Sequence, residues 1–300
     1  MTLAIETKDL RFKAGRGNKA FEVSRLTMRV PRGSVYGFLG PNGSGKTTTI
    51  RLLMGQLKPD GGTITVLGEE MPKHYATVLS RTGYVPERPH LYSSLTVQEA
   101  MELHRAFYST WDQTWAEELL AEFYLEPRRK LSVLSKGESG KVMMLLALAQ
   151  KPDLLVLDEP TDGLDPVARR DILGAVLKYV TDVQATVLIS SHLVHELERI
   201  CDWVGLMDQG QLIAELQMQD FKSGLKRLRV SSAPAELIDA PFTVLSRERT
   251  NGVVEQMLVR GWLPDMQNYL TGTGATVREV IDLDLEEGFV EMLRAARNAR

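Results

Sequence analysis

A glycine-rich loop between two apolar stretches gives the first indication of chemistry in this sequence. The loop follows the apolar residues 35–39 and precedes the helix-forming residues 49–54. Glycines let backbone N–H groups curl around an anion, and the N-terminus of the next helix adds unpaired donors and a positive dipole end. In a strand–loop–helix context, the pattern G-x-x-x-x-G-K-[ST] therefore predicts a phosphate-binding loop. Its residues are Gly40, Pro41, Asn42, Gly43, Ser44, Gly45, Lys46, Thr47 and Thr48.

Two side chains of this loop and two acidic residues further along predict nucleotide chemistry. Lys46 is expected to reach the β- and γ-phosphates of a nucleotide, and the Thr47 hydroxyl to hold Mg²⁺. Asp158 and Glu159 end the apolar run 154–157, and a strand end in an open α/β sheet faces the ligand crevice. Asp158 is a candidate Mg²⁺ ligand, and Glu159 a candidate base for an attacking water. An acidic strand end before a proline is also common without any function.

Two more chain segments have a functional and a purely structural interpretation. Ser135 and Glu138 have the spacing of a capping box, which predicts a well-capped helix or a second helix N-terminus facing an anion. His192 follows the apolar run 186–190, where it could sense a γ-phosphate by a hydrogen bond or lie on the surface.

Composition limits the class of protein. The chain has 300 residues, 43% hydrophobic and 25% charged, with a net charge of −3, as in an ordinary soluble globular protein. The absence of a basic excess argues against a broad nucleic-acid-binding face. The single cysteine, Cys201, excludes an internal disulfide and fits a reducing compartment. We expect no signal peptide, and no apolar run approaches the roughly 20 residues needed to span a bilayer.

The hydrophobic pattern predicts an α/β first part of the chain. Residues 3–39 read as antiparallel strands leading into the strand of the phosphate loop, with a turn at 15–18, and residues 96–149 as helices. The runs 154–157 and 186–190 predict strands buried on both faces of a parallel sheet. Helices are predicted at 166–180 and 192–200.

The character of the sequence changes near residue 221. Four alternating, β-branched-rich stretches and an amphipathic helix follow, at 225–231, 242–248, 253–260, 276–283 and 285–297. We therefore predict two domains, residues 1–220 with a helical subdomain at about 92–150, and a small α+β domain at 221–300.

The motifs taken together resemble one family. GPNGSGKTT, LSKGE, LLVLDEP, GLDP and SSH, in that order, resemble the ATP-binding cassette (ABC) ATPases over roughly residues 3–217. The resemblance implies a P-loop ABC cassette: a mixed-sheet core with an antiparallel β subdomain and a helical subdomain. It also implies ATP hydrolysis with Mg²⁺ by two copies that close head to tail around two ATP molecules.

The resemblance assigns a role to each matching residue. The loop residues 40–48 would hold the phosphates and Mg²⁺, Asp158 would be the acidic strand-end residue, Glu159 the catalytic base and His192 the switch histidine. Ser135 and Gly137 would contact the γ-phosphate of ATP bound to the opposite subunit. Asp165 would lie in the loop that crosses the dimer interface.

Several positions depart from the family pattern. The signature reads Ser-Lys-Gly-Glu-Ser instead of Ser-Gly-Gly-Gln, so that Lys136 and Glu138 add charges. Glu87 stands where a glutamine usually faces Mg²⁺ and the attacking water, and a carboxylate cannot donate a hydrogen bond as an amide does. Asp162 replaces a usual serine in the crossing loop. Phe12 is a candidate adenine-stacking aromatic, although a core role is open for it and Ala14 is the other alignment.

Weaker features resemble the ATPase subunits of bacterial exporters. They are Tyr-Val-Pro-Glu at 84–87, the Leu-Ser-Lys-Gly signature and the tail Leu-Glu-Glu-x-Phe at 285–289. The implied partners are a separate transmembrane permease subunit and a second copy or a related ATPase subunit, with the chain attached to the cytoplasmic face of the membrane. The C-terminal domain would be regulatory, dimer-stabilising or a simple cap on the cassette. Alternatives are a soluble non-transport ABC ATPase acting on ribosomes or DNA, and a regulatory module that binds ATP but hydrolyses it weakly.

Overall fold

The computed structural model describes residues 2–15, 21–250 and 254–298. The chain folds into two compact units, one of Met1–Leu193 with Gly205–Ala214 and one of Val194–Val204 with Glu215–Arg300. A domain boundary after residue 220 stays a prediction. Of the predicted turn at 15–18, Gly15 alone belongs to the described residues.

The elements are numbered along the chain. The described strands are β1 (Leu3–Ala14), β2 (Phe21–Pro31), β3 (Val35–Leu39), β4 (Gly61–Val66), β5 (Glu69–Met71), β6 (Thr82–Val85), β7 (Leu154–Asp158), β8 (Thr186–Ser191), β9 (Trp203–Asp208), β10 (Gln211–Gln217), β11 (Leu225–Ser231), β12 (Thr243–Thr250), β13 (Val254–Arg260) and β14 (Thr276–Asp282). The described helices are α1 (Lys46–Leu53), α2 (Tyr75–Leu79), α3 (Val97–Phe107), α4 (Gln113–Glu122), α5 (Lys136–Leu148), α6 (Pro166–Val183), α7 (Val194–Leu197), α8 (Met218–Gly224), α9 (Gln267–Gly272) and α10 (Leu285–Asn298).

A four-stranded antiparallel sheet forms one layer of the first unit, in the order β2-β1-β4-β5. On β1 the buried residues Ile5 and Thr7 alternate with partly or fully exposed ones, as expected when one face of a sheet packs on a core. The antiparallel strands predicted before the phosphate loop are confirmed.

A six-stranded sheet supplies the framework of the candidate site, in the order β10-β9-β3-β8-β7-β6. Strands β3, β8, β7 and β6 pair in parallel, and every residue of β3, β7 and β8 is buried. The parallel pairing places Leu39 opposite Ser191 and Asp158 opposite Ser190. Residues that follow these strand ends therefore converge at one edge of the sheet.

Each of the helices α3 to α6 is preceded by an N-cap residue whose side chain accepts a hydrogen bond from the first turn. Thr96 and Ser135 form capping boxes with Glu99 and Glu138, as the spacing of Ser135 and Glu138 predicted. Asp165 caps α6, whose first residue is a proline. In the described part of the chain, no helix combines the length and apolar character needed to cross a bilayer.

The helix predicted at 192–200 is wrong at both ends, because α7 covers Val194–Leu197 alone. At its start, the backbone N–H groups of His192 and Leu193 donate to the side chains of Glu159 and Ser191. The contact with Glu159 is long-range, 33 residues back along the chain, and it holds His192 in the loop that precedes α7.

The second unit contains a four-stranded antiparallel sheet in the order β12-β13-β11-β14. Its core includes Leu228, Val230, Met257 and Trp262, and the Trp262 ring lies 5.1 Å from that of Phe242. The strands and the final helix α10 agree with the sequence pattern beyond residue 221.

Candidate nucleotide site

The phosphate loop joins β3 to α1, and its shape depends on a glycine. Gly45 has a φ of 113°, in the region that favours glycine, and stands at the N-terminus of α1. A Cβ atom at this position would lie 2.6 Å from the Phe21 ring and 2.8 Å from the Met207 methyl group. The loop therefore excludes any other residue here without rearrangement.

Lys46 lies almost fully buried at the floor of the loop. Its Nζ donates to the Gly40 carbonyl at 2.6 Å and lies 3.0 Å from Glu159 Oε1. A buried ammonium needs such partners, because desolvation of an unpaired charge is costly. A phosphate oxygen could replace the Glu159 carboxylate as its anionic partner.

Asp158 ends β7 and has the environment of a cation ligand. One carboxylate oxygen, Oδ1, accepts hydrogen bonds from Thr47 Oγ1 at 3.1 Å and Ser190 Oγ at 2.8 Å. The other, Oδ2, is buried and has no hydrogen-bond partner within the described residues. Burial raises the pKa of Asp158 above its usual range, against the hydrogen bond from Ser190.

This donor set fits Mg²⁺. The described residues contain no cluster of three or more His, Cys, Asp or Glu side chains that would hold a metal alone. Mg²⁺ usually binds to one or two carboxylates together with substrate phosphates. The orphaned oxygen of Asp158 beside the Thr47 hydroxyl is such a partial site.

Glu159 is held between two cationic or protonatable groups. Its Oε1 faces Lys46, while its Oε2 lies 2.9 Å from His192 Nδ1. Its backbone N–H donates to Ser190 Oγ at 2.9 Å, and its φ of 49° is uncommon for a residue with a side chain. Such backbone strain clusters at functional sites, where the surrounding structure maintains it.

These groups surround one cavity of about 470 Å³. It is lined by Phe21, Asn42, Gly43, Gly45, Lys46, Thr47, Thr48, Glu87, Glu159, Asp162 and His192. The structure thus brings together the predicted phosphate loop, both predicted catalytic residues and the predicted metal-facing residue Glu87. Asp158 is not among the described lining residues, but it accepts a hydrogen bond from Thr47, which is.

Comparison with known proteins decides the family. The family model described as "ABC transporter" matches residues 23–162. The bacitracin transport ATP-binding protein BcrA of Bacillus licheniformis is 34% identical over 224 residues, which are 74% of this chain and 72% of BcrA. The chain belongs to the ABC transporter ATP-binding proteins. It is an ATPase of that family, as the motifs predicted.

Other relatives agree. The ABC transporter ATP-binding protein YtrB of Bacillus subtilis is 29% identical over 292 residues, covering 95% of this chain and 97% of YtrB. The Nod factor export ATP-binding protein I of Cupriavidus pinatubonensis is 35% identical over 226 residues, which are 74% of this chain and 68% of that protein. A solved ATP-binding subunit of an ABC transporter superposes with a TM-score of 0.65 at 31% identity, covering 74% of this chain and 92% of that one. The predicted ABC cassette fold is confirmed.

The aromatic residue at the ABC nucleotide cavity differs from the predicted one. Phe12 is half-buried on β1, pairs with Val23 of β2, and is absent from the described lining of the cavity. Phe21, at the start of β2, lines it instead. Adenine stacking by Phe12 stays a prediction. Phe21 was not predicted, and the signal for it was an aromatic residue at the start of the next strand.

The residues assigned to the opposite ATP lie outside the described lining of this cavity. Ser135 caps α5, and the Asp165 carboxylate accepts from the backbone N–H groups of Val167 and Ala168, which start α6. A Cβ atom at Gly137 would lie 3.2 Å from the Ala168 Cβ, so the beginnings of α5 and α6 pack closely. Their contact with a second ATP stays a prediction.

The unusual glutamate of the signature has a local explanation. Glu138 Oε2 accepts from the Ser135 backbone N–H at 2.8 Å, and Oε1 is paired with Arg129. The hydrogen bond from the Ser135 N–H is the main reason why the pKa of Glu138 lies below its usual range. The charge of Glu138 is therefore compensated within its own chain.

Proposed function

We propose that this chain is the ATP-hydrolysing subunit of an ABC exporter, working as a dimer that encloses two Mg-ATP and drives a separate transmembrane permease subunit. The observation that supports it most is the contact of Glu159 with both Lys46 and His192 at the phosphate loop. The relative named for Nod factor export supports an export role, and the relative named for bacitracin transport supports a transport role.

Glu159 is the proposed catalytic residue for proton transfer. When the triphosphate binds, Lys46 exchanges the carboxylate of Glu159 for phosphate oxygens, which leaves Glu159 available to accept a proton from water. His192 holds the second carboxylate oxygen and so keeps Glu159 oriented. Thr47, Asp158 and Glu87 would hold Mg²⁺, which neutralises charge on the phosphate oxygens when it is bound.

A head-to-tail dimer gives the remaining motif residues a function. Ser135 and Gly137 stand at the N-terminus of the 13-residue helix α5, which presents unpaired donors to an anion. One copy would use its own phosphate loop and the α5 N-terminus of its partner for the same ATP. In this proposal Asp165 belongs to the loop that crosses between the copies.

The permease subunit is proposed to dock on the helical region. A groove of about 680 Å³ is lined there by apolar and aromatic residues, among them Leu95, Leu103, Tyr92 and Phe107. Tyr92 is 70% exposed and Phe107 77% exposed. Large exposed aromatic side chains on one groove are typical of a protein–protein contact. Tyr92 also lies in the segment between β6 and α3 that contains Glu87, so docking there would be linked to the nucleotide site.

The domain limits belong to the same proposal. Residues 1–220 would form the cassette and residues 221–300 an accessory domain. The match to YtrB along 95% of this chain supports an accessory domain that is shared with relatives.

The test uses Glu159→Gln, which is expected to bind ATP without hydrolysing it and so to hold the dimer closed. The variant would be purified with Mg-ATP from detergent-solubilised cells of its native host. A multi-span membrane protein in stoichiometric amount is the expected result. Ribosomes or nucleic acid in its place would contradict the exporter proposal and favour a non-transport ABC ATPase. A Lys46→Ala, Glu159→Gln variant serves as the control, because it should lose nucleotide binding and the closed dimer.

A further inference from the structure

Lys136, the unusual basic residue of the signature, contacts the nucleotide site of its own chain. Its Nζ lies 3.3 Å from Asp162 Oδ2. The side chain passes over Gly163, where a Cβ atom would lie 2.6 Å from Nζ. Gly163, with a φ of 64°, therefore leaves the room that the ammonium needs to reach Asp162.

Asp162 belongs to the wall of the ATP cavity. It lines that cavity together with Lys46 and Glu159, and its backbone N–H donates to the Glu159 carbonyl at 3.1 Å. Lys136 and Asp162 also share a smaller crevice with Glu87 and Glu159. The pair thus lies directly beside the proposed catalytic and metal-facing carboxylates.

The charge balance of this wall gives the pair its significance. Four carboxylates, those of Asp158, Glu159, Glu87 and Asp162, lie at or beside the space where a polyphosphate binds. In the proposed mechanism, Mg²⁺, Lys46 and His192 compensate the phosphates, Asp158, Glu159 and Glu87. Asp162 forms no described ion pair with Lys46 or His192, and its described partner is Lys136.

The pair is too exposed to matter much for folding. The Lys136 and Asp162 side chains are 51% and 44% exposed, and such surface pairs contribute little to stability. The pair matters more for nucleotide binding than for folding. Removal of Lys136 would leave the Asp162 carboxylate uncompensated and make the electrostatic potential in the cavity more negative.

We propose that Lys136 is a positioning residue for nucleotide binding in its own subunit: its ammonium neutralises Asp162 and so removes repulsion between the cavity wall and the nucleotide phosphates. The inference rests on the proposed nucleotide site, and it adds a role within one chain to the contact with the opposite ATP that the resemblance implies for the signature.

The experiment is a double-mutant cycle of Lys136→Gln and Asp162→Asn, which keep side-chain size. Dissociation constants would be measured by calorimetry for Mg-ADP, because ADP has no γ-phosphate for the partner's signature to contact. Lys136→Gln should weaken Mg-ADP binding by about threefold to tenfold at low salt, as expected for one partly exposed charge near a polyphosphate. In the Asp162→Asn background, the same change should have no effect.

Salt and charge reversal provide further readouts. At about 1 M salt, where the Debye length falls to about 3 Å, the effect of Lys136→Gln should largely disappear. The reversed pair, Lys136→Asp with Asp162→Lys, should bind Mg-ADP more tightly than Lys136→Asp alone. Lys151→Gln is the control, since Lys151 is 47% exposed and paired with Asp112 away from the lining of the cavity.

The outcomes separate the two proposals. A wild-type protein that binds neither Mg-ADP nor Mg-ATP would contradict the proposed function. If the wild type binds normally, two results would overturn the role of Lys136 through Asp162. Lys136→Gln could have an equal effect in both backgrounds, or it could have no effect on Mg-ADP binding.

Discussion

At the scale of single residues, the buried carboxylate of Asp158 lowers the stability of the nucleotide-free protein and is suited to binding a cation. Its carboxylate is 1% exposed, and one of its oxygens has no hydrogen-bond partner in the described chain. Such a group is costly to keep ionised in the folded state, and the raised pKa of Asp158 expresses that cost. A bound cation would remove it.

We therefore expect Asp158→Asn to stabilise the nucleotide-free protein and to impair turnover. Because the folded pKa lies above the unfolded value, the contribution of Asp158 is most favourable at low pH and is lost as pH rises through the folded pKa. The melting temperature of the variant should therefore exceed that of the wild type by more at pH 7 than at pH 4. Its ATPase rate should fall by about tenfold or more, since a Mg²⁺ ligand is lost.

Thermal unfolding at the two pH values and a steady-state ATPase assay measure both effects. Ser231→Ala, a buried hydroxyl of the second unit, tests whether any buried polar substitution gives the same pattern. A variant whose stability difference from wild type is the same at both pH values would contradict this account of Asp158.

Residue types and spacing predicted the groups that meet at the cavity, because Lys46, Glu159 and His192 each follow a recognisable strand end. They did not predict Ser190, which donates to Asp158 and accepts from Glu159. A serine at a strand end is common, and its partners become visible once the register of β7 and β8 is known. Phe21 was missed for a similar reason, since its position depends on how β2 approaches the loop.

At the scale of elements, the turn between β9 and β10 supports the phosphate loop. Gln209 and Gly210 form this two-residue turn, and both have positive φ, as in the type I′ turns of tight hairpins. The Gly210 N–H donates to the Ser44 carbonyl at 2.8 Å, and its carbonyl accepts from the Ser24 N–H at 2.9 Å. One glycine therefore ties the loop to β2 and to this hairpin.

We expect Gly210→Ala to weaken both folding and nucleotide binding. A Cβ atom at this position would lie 1.7 Å from the Glu22 carbonyl oxygen, which is backbone and cannot simply rotate away. The free energy of unfolding should fall by roughly 2–4 kcal/mol from strain and displaced backbone. Urea unfolding and a nucleotide titration measure the two effects.

Gly174→Ala is the matched control, because Gly174 lies in α6 and, apart from its chain neighbours and the nearby backbone of its own helix, no described atom lies within 4 Å of its would-be Cβ. This change should be neutral or stabilise the protein by roughly 0.5–1 kcal/mol. Equal stability of the Gly210 and Gly174 variants would show that the turn does not support the loop as described.

Elements whose residues alternate or repeat regularly were predicted, and those shaped by distant contacts were not. The strands of the second unit and α10 follow their own hydrophobic pattern. Strands β9 and β10 were not predicted, and the helix after His192 was predicted too long. In the latter case, the His192 N–H donates to the side chain of Glu159, which lies 33 residues earlier, and the local hydrophobic pattern does not encode such a contact.

At the scale of the whole molecule, the proposal depends on a partner surface that is separate from the ATP cavity. The apolar groove on the helical region contains Tyr92 and Phe107, and none of its described lining residues lines the nucleotide cavity. Changes in this groove should therefore affect coupling to a membrane protein without directly affecting ATP hydrolysis.

The variants Tyr92→Asp and Phe107→Asp should abolish co-purification of the membrane partner, because a carboxylate in an apolar contact loses its hydration without gaining a partner. The ATPase rate of the isolated protein should stay close to that of the wild type. Tyr124→Asp is the control, since Tyr124 is 90% exposed and lies outside the groove. Retention of the partner by both groove variants would exclude this docking site.

Glu159 is the base for ATP hydrolysis in the proposed mechanism, and one paired measurement tests this role most directly. The steady-state ATPase rate and the Mg-ATP dissociation constant would be measured for the wild type and for Glu159→Gln. Because a general base usually contributes about 10²–10⁴-fold to the rate, hydrolysis should fall by that factor while binding is retained. Turnover of the variant within a few-fold of the wild-type rate would contradict the assignment of Glu159 and the mechanism built on it.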